Sequence, residues 1–313
     1  MSSTVSIIMY HYVRPLKQSR YPMIKGLAVE DFKEQIDYIL KQYHIISAAD
    51  MMDIVASGAA FPPNALLLTF DDGYSDHFAH VFPVLDEKKI SGCFFPMGKY
   101  ILEGRVPDVN KIHFILASIE NKAEIVARIN EAVNRHRAEY ALETNDAYWQ
   151  RLGTAGRFDT AEVRFIKRML QRALPEPLRK QIVDALFRQF VTGDERAFAQ
   201  ELYLTLDQIG CMQRNGMYFG SHGFGHYWLN TVPPEAQERE IDLSLQFLHR
   251  IGSDTTRWIM CYPYGAYDEA LVALLQRRHC TVGLTTQVGI ADLERDHRLT
   301  LPRLDTNDLP PIS

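Results

Sequence analysis

Two adjacent acids, Asp71 and Asp72, close the apolar run of "ALLLTFDDG" and are followed at once by Gly73. Carboxylates this close repel each other, and burying them is costly unless a cation or a proton relieves the pair. Far downstream, "GSHGFGHYWL" sets His222 and His226 four residues apart, a spacing that lets two imidazoles meet one ion where the backbone turns helically. Side chains at neighbouring strand positions point opposite ways, so one acid can bind a metal while the other stays available as a base. Asp72, His222 and His226 then form a three-ligand site with open positions of the hydrolytic kind, and Asp71 is the candidate base. In "CYPYG", Pro263 fixes the backbone and the N–H of Tyr264 can face a developing oxyanion. For an Asp, His, His set zinc is the first choice of divalent metal, and iron, cobalt or nickel fit the same ligands.

Groups so far apart in sequence need a scaffold that brings strand ends together. Short β-branched runs at residues 5–10, 43–47, 65–70, 91–96, 216–221, 257–263, 281–286 and 298–304 alternate with helical periodicity at 29–42, 77–89, 234–251 and 268–278. That alternation predicts an α/β fold, a parallel sheet wrapped by helices and closed as a barrel of seven or eight units, with each motif directly after a strand. Residues 108–207 break the rhythm. They are polar, helical in period and poor in strand signals, as in "IENKAEIVARINEAVNRHRAEY", and read as a helical lobe inserted into a single domain spanning 1–313.

At 313 residues and 46% hydrophobic, the chain can bury a full core. A net charge of -5 leaves no basic footprint for nucleic acid and favours a small polar substrate. Cys93, Cys211, Cys261 and Cys280 have no paired spacing, and the N-terminal residues carry neither a signal-peptide pattern nor a membrane span. The expected location is the cytoplasm, and the expected protein is not an integral membrane protein.

In order and separation, "TFDDG", the His-x-x-x-His of "HGFGH" and "YPYG" resemble the three motifs of the NodB-homology polysaccharide deacetylases, carbohydrate esterase family four. The resemblance covers roughly residues 5–305 apart from the helical stretch. It implies a distorted (β/α) barrel of about seven units and metal-dependent removal of acyl groups from amino sugars. Carried over by position, Asp71 is the general base, Asp72, His222 and His226 hold the metal, and the Tyr264 amide joins the oxyanion hole. Three departures stand out. Gly223 occupies the place of the usual loop-bracing Ser or Thr, so another group has to hold His222. Cys261 stands where many members have an arginine beside the catalytic acid. The usual late strand ending in histidine is replaced by "LTLPRLD", which offers Arg303.

His11 in "MYHYVRP" ends the first strand, and related extracellular-glycan deacetylases also begin with Met-Tyr-His. It is a candidate acid or substrate contact. Arg303 ends the last strand and can stand in for the motif arginine beside Asp71. His77, His279 and His297 read as solvated or locally hydrogen-bonded residues.

The reaction read from these residues is hydrolysis of an N-acyl group, acetyl or formyl, from an amino sugar. A cytoplasmic enzyme meets such sugars nucleotide-linked or lipid-linked, as precursors of a surface polysaccharide such as O-antigen or capsule. The alternatives are hydrolysis of a non-sugar amide or cyclic imide on the same scaffold, a carbohydrate-binding pseudoenzyme, and an assembly scaffold.

Overall fold

A computed structural model describes residues 2–156 and 159–309. Seven parallel strands form the sheet: β1 (Thr4–Tyr10), β2 (Ala65–Asp72), β3 (Cys93–Pro96), β4 (Tyr218–Phe219), β5 (Trp258–Cys261), β6 (Cys280–Val288) and β7 (Leu301–Asp305). Their spatial order is β4-β3-β2-β1-β7-β6-β5, a curled half-barrel. The two edges meet at Ser221, whose N–H donates to the Ile259 carbonyl at 3.0 Å and whose own carbonyl accepts from Cys261 N–H at 2.8 Å. Two short strands flank this path, with His44–Ile45 beside β2 and Ala291–Asp292 antiparallel to β1.

The period-2 alternation of the strands sorts their side chains into two layers. Val5, Ile7, Leu67, Phe95, Ile259, Cys261, Val282, Leu284 and Leu301 fill the concave interior together with Ala48, Met51 and Met52 of α2 (Ala48–Ser57). Ile8, Tyr10, Leu66, Leu68, Phe70 and Phe94 face outward and pack on Phe32, Ile36 and Ile39 of α1 (Val29–Gln42) and Leu85 of α3 (Phe82–Lys88). With both faces covered, all eight residues of β2 are buried, as expected for a central parallel strand.

Several expected elements change length. Residues 43–47 contribute only the two-residue strand His44–Ile45, because Ser47 and Asp50 form a reciprocal capping box that turns the chain into α2. The barrel therefore has seven units. Residues 77–89 begin as a π-turn, His77–Val81, before α3, and Asp76 does not cap it because Arg14 takes both of its carboxylate oxygens, at 2.7 and 3.0 Å. β4 is two residues long where six were expected, since Gly220 and Ser221 already bend toward the seam.

The chain divides into two compact units. The first comprises residues up to Pro15, Gly26–Gly104 and Ala199 onward, and contains the whole sheet. The second comprises Leu16–Lys25 and Arg105–Phe198, and its described regular elements are helices, including Asp108–Ser118, Lys122–Tyr140, Ala161–Arg168 and Glu176–Phe190. Asn121, Thr144 and Thr160 cap three helices through their side chains. The core of this unit includes Ile115, Ile129, Phe165 and Val183. The buried ammonium of Lys111 is matched there by Asp184 at 2.5 Å and Glu195 at 3.1 Å.

Candidate metal centre and active site

Asp71 and Cys261, near the C-terminal ends of β2 and β5, and Arg303, in the middle of β7, continue the inward-facing parity of their strands and are aimed at one point. The Arg303 guanidinium binds Asp71 in bidentate fashion, Nη1 to Oδ1 at 2.9 Å and Nη2 to Oδ2 at 2.8 Å. Its remaining donors reach Thr285 O at 2.8 Å and Thr69 Oγ1 at 3.2 Å. Asp71 and Arg303 are each only 1% exposed. Burial alone would raise the Asp71 pKa, but Arg303, by charge and hydrogen bonds, together with the neighbouring imidazoles outweighs it and holds the carboxyl well below the usual range, so Asp71 is ionised. Burial also keeps the Cys261 thiol protonated by raising its pKa. Its Sγ donates to Asp71 Oδ1 at 3.3 Å.

Asp72 departs from the strand's alternation through a left-handed backbone, φ 73°, a conformation that costs energy outside glycine and is concentrated at functional sites. Its Oδ2 accepts from the Tyr74 hydroxyl, which lies within a stack of Tyr12 and Tyr203 rings. Its Oδ1 is buried without a hydrogen-bond partner, and His222 Nε2 lies 3.3 Å and His226 Nε2 3.4 Å from that oxygen.

The histidines reach Asp72 without a helix. The segment is a bent loop with positive φ at Gly223 (65°) and His226 (55°), so the helical turn expected from the four-residue spacing is corrected. Register across the barrel seam sets His222 beside β5, where its Nδ1–H donates to Cys261 O at 2.8 Å and turns Nε2 toward Asp72. Burial works against charge on His222, but its hydrogen bond to Cys261 and the Asp72 and Asp71 carboxylates outweigh burial and push its pKa above the ordinary value. His226 is driven down to about 3, chiefly by burial.

An unpartnered carboxylate oxygen facing two imidazole nitrogens, one fixed by a bond through its other nitrogen, is a donor set that fits a divalent cation. Asp71, held by Arg303, stands outside that triad.

Two further expected residues, His11 and Tyr264, lie beside Asp71 and His226 respectively. The His11 side chain is 42% exposed, with Nε2 3.8 Å from Asp71 Oδ2, beyond hydrogen-bond distance. His77 was expected to be solvated or locally bonded. It is fully buried, and its Nε2–H donates to His11 O at 2.9 Å. Tyr264 sits in the turn after β5 with φ 59°, its ring centroid 4.6 Å from that of His226 in an edge-to-face contact and 4.2 Å from that of Trp228 in a stack. Sequence reasoning missed Tyr74 as a partner of Asp72. The short polar run "DDGYSD" held that signal, because a Tyr two residues after a left-handed acid can fold back onto it.

With this geometry, the polysaccharide deacetylase family profile matches residues 58–137 and 171–282, more than half of the chain. The chain belongs to the polysaccharide deacetylase family. Among curated relatives, YxkH of Bacillus subtilis (strain 168), assigned to the polysaccharide deacetylases, is 28% identical over 101 residues, 32% of this chain and 36% of its own length. The poly-beta-1,6-N-acetyl-D-glucosamine N-deacetylase of Escherichia coli (strain K12) is 30% identical over 70 residues, 22% of this chain. This chain thus matches about a third of the first relative and 10% of the second. Among solved structures, Streptococcus pyogenes deacetylase PplD in complex with acetate aligns with a TM-score of 0.60 at 16% identity, over 97% of this chain and 93% of the other. IcaB from Ammonifex degensii aligns with a TM-score of 0.58 at 16% identity, over 97% and 91%. These likenesses establish the deacetylase fold. No helix among the described residues is long and apolar enough to cross a membrane.

Proposed function

We propose that this polysaccharide deacetylase is a metal-dependent hydrolase that removes an N-acyl group, acetyl or formyl, from an amino sugar. The observation that carries the reading is the division of labour between neighbouring acids: Asp71 is clamped by Arg303, while Asp72 turns an unpartnered oxygen toward two imidazoles. Asp72, His222 and His226 would hold the cation, with zinc first and iron, cobalt or nickel as substitutes. When bound, the cation supplies Lewis acidity, which acidifies water and polarises the acyl carbonyl.

The protein groups then divide the proton work. Asp71 Oδ1 already accepts from Arg303 and Cys261, so Oδ2, with one donor, has the lone pair for a proton taken from the attacking water. Arg303 keeps that carboxylate ionised and oriented. His11 faces the same Oδ2 and is open to solvent, which suits it to return a proton to the departing amine. The Tyr264 amide is assigned to the oxyanion, supported by the left-handed turn that sets Tyr264 against His226. The stacked Trp228–Tyr264 pair offers an aromatic wall of the kind sugars use.

The sugar is proposed to be a nucleotide- or lipid-linked precursor of a bacterial surface polysaccharide such as O-antigen or capsule. Supporting a cytoplasmic setting, all four cysteines are thiols and three are buried. The chain is read as one deacetylase domain interrupted by the helical unit.

The test is acetate and formate release from N-acyl amino sugars by the metal-loaded protein, set against small cyclic imides. Release from sugars, lost in Asp71→Asn with the cation retained, supports the reading. Activity confined to imides, or none with any acyl sugar, rejects it.

A further inference from the structure

The loop carrying His222 and His226 lacks the bracing side chain that its family resemblance leads one to expect after the first histidine, since Gly223 stands there. Its three consecutive amides are nevertheless all occupied. Gly223 N–H donates to Ser221 Oγ at 3.2 Å, Phe224 N–H to Glu240 Oε2 at 3.1 Å, and Gly225 N–H to the same Glu240 oxygen at 2.7 Å. Ser221 Oγ is paired in turn with Ser244 Oγ at 2.7 Å. Glu240 and Ser244 lie one turn apart on the helix Pro234–Arg250, so a single face of that helix presents both contacts. Ser221, Ser244 and Glu240 are all buried.

The opposite side of the loop is fixed from another element. Lys99 N–H donates to Phe224 O at 3.1 Å and the Tyr100 hydroxyl to Gly225 O at 3.2 Å, both from the helix Gly98–Glu103. Successive backbone N–H groups in a turn of alternating hand form a concavity that binds anions. Here the protein's own carboxylate fills it.

We infer that Glu240, supported by Ser244, is the positioning residue of the histidine loop: it sets the separation of the two imidazoles and, through it, the affinity of the site for a divalent cation. This rests on the metal reading above. Glu240 touches neither imidazole among the described contacts, and it acts through the amides between them.

The experiment is calorimetric titration of chelator-stripped protein with Zn²⁺ and with Co²⁺, for wild type, Glu240→Ala, Glu240→Gln, Ser244→Ala and His226→Ala. Amide hydrogen exchange across residues 221–228 is followed in the same metal-free samples. Glu240→Ala is expected to lose about 10- to 100-fold in cation affinity, the range for outer partners of metal ligands, and to expose the Phe224 and Gly225 amides to exchange. Glu240→Gln keeps an amide oxygen that can accept both N–H bonds, and is expected to restore the protection and bring affinity back to within a few-fold of wild type. Ser244→Ala should fall between these two.

A Glu240→Ala protein that binds both cations as tightly as wild type overturns this inference alone, provided His226→Ala has lost them. Equal weakening in Glu240→Ala and Glu240→Gln also overturns it, because acceptor geometry would then not matter. A wild type that takes up neither cation removes the metal reading and this inference with it. Should Glu240→Ala fail to fold, Ser244→Ala and the exchange protection of Glu240→Gln decide the question.

Discussion

The coupling between Arg303 and Asp71 can be measured directly as a double-mutant cycle. Arg303 makes four hydrogen bonds, two of them to Asp71 at 2.9 and 2.8 Å, and neither side chain is open to solvent. Arg303→Met leaves a buried carboxylate unmatched, and Asp71→Leu leaves a buried guanidinium unmatched. Each is expected to cost about 3–5 kcal/mol of stability. The double variant loses the pair without stranding either charge. It should therefore cost less than the sum of the singles by the two shared charge-assisted bonds, about 3 kcal/mol. Urea unfolding in the presence of a chelator, followed by tryptophan fluorescence, reads these values without a contribution from bound cation. Single variants whose effects add to within about 0.5 kcal/mol would refute the pairing. Arg303 would then owe its burial to Thr285 and Thr69 rather than to the acid.

Further outcomes follow from the same contacts. Asp71→Asn should retain the cation and lose about 10²–10⁴-fold in acyl release, the range for a general base, as checked by metal content and acetate assay. Tyr74→Phe removes the hydroxyl that holds Asp72 Oδ2 and should weaken cation binding by about 10-fold in calorimetry, with the fold intact by circular dichroism. Gly283→Ala should destabilise the half-barrel by about 3 kcal/mol in urea unfolding, because the added Cβ would lie 2.1 Å from Leu299 O, a backbone atom that cannot swing away. Hydrogen bonds from Ser47 depress the Asp50 pKa below its ordinary 3.8. A depressed acid contributes stability above its unfolded pKa and loses it as pH falls through the folded one. The stability gap between wild type and Asp50→Ala should accordingly be full at pH 7 and shrink below about pH 4, as thermal melts across that range would record.

How much of this could be read from the sequence depended on the range of the forces involved. The strands β1, β2 and β6 and the helix Val29–Gln42 follow from apolar periodicity, a local property written in consecutive residues. β4 could not be bounded that way, since Gly220 and Ser221 leave the strand to close a seam with β5, a partner far along the chain. The His-x-x-x-His spacing singled out two imidazoles that the fold brings together, though not by the helical turn the spacing suggests. Its imidazoles converge through left-handed turns at Gly223 and His226, and Cys261 O orients His222, a contact only register across the sheet edges can supply. Arg303 could be proposed as the partner of Asp71 because the late strand offers an arginine where Cys261 replaces the motif one, and the structure sets it mid-strand at the same inward-facing parity as Asp71. Glu240 gave no signal in sequence, as a glutamate on an amphipathic helix looks like any solvated one until the fold turns that face onto the loop amides.

Hydrolysis by this site requires one cation held between a single acid and two imidazoles while the neighbouring acid stays unligated. The most direct measurement is an anomalous difference map from crystals grown with zinc and recorded on both sides of the zinc edge. One peak is expected, bonded to Asp72, His222 and His226, with Asp71 still paired to Arg303. No peak in that pocket, or a peak bonded to Asp71 in place of Asp72, would contradict that arrangement.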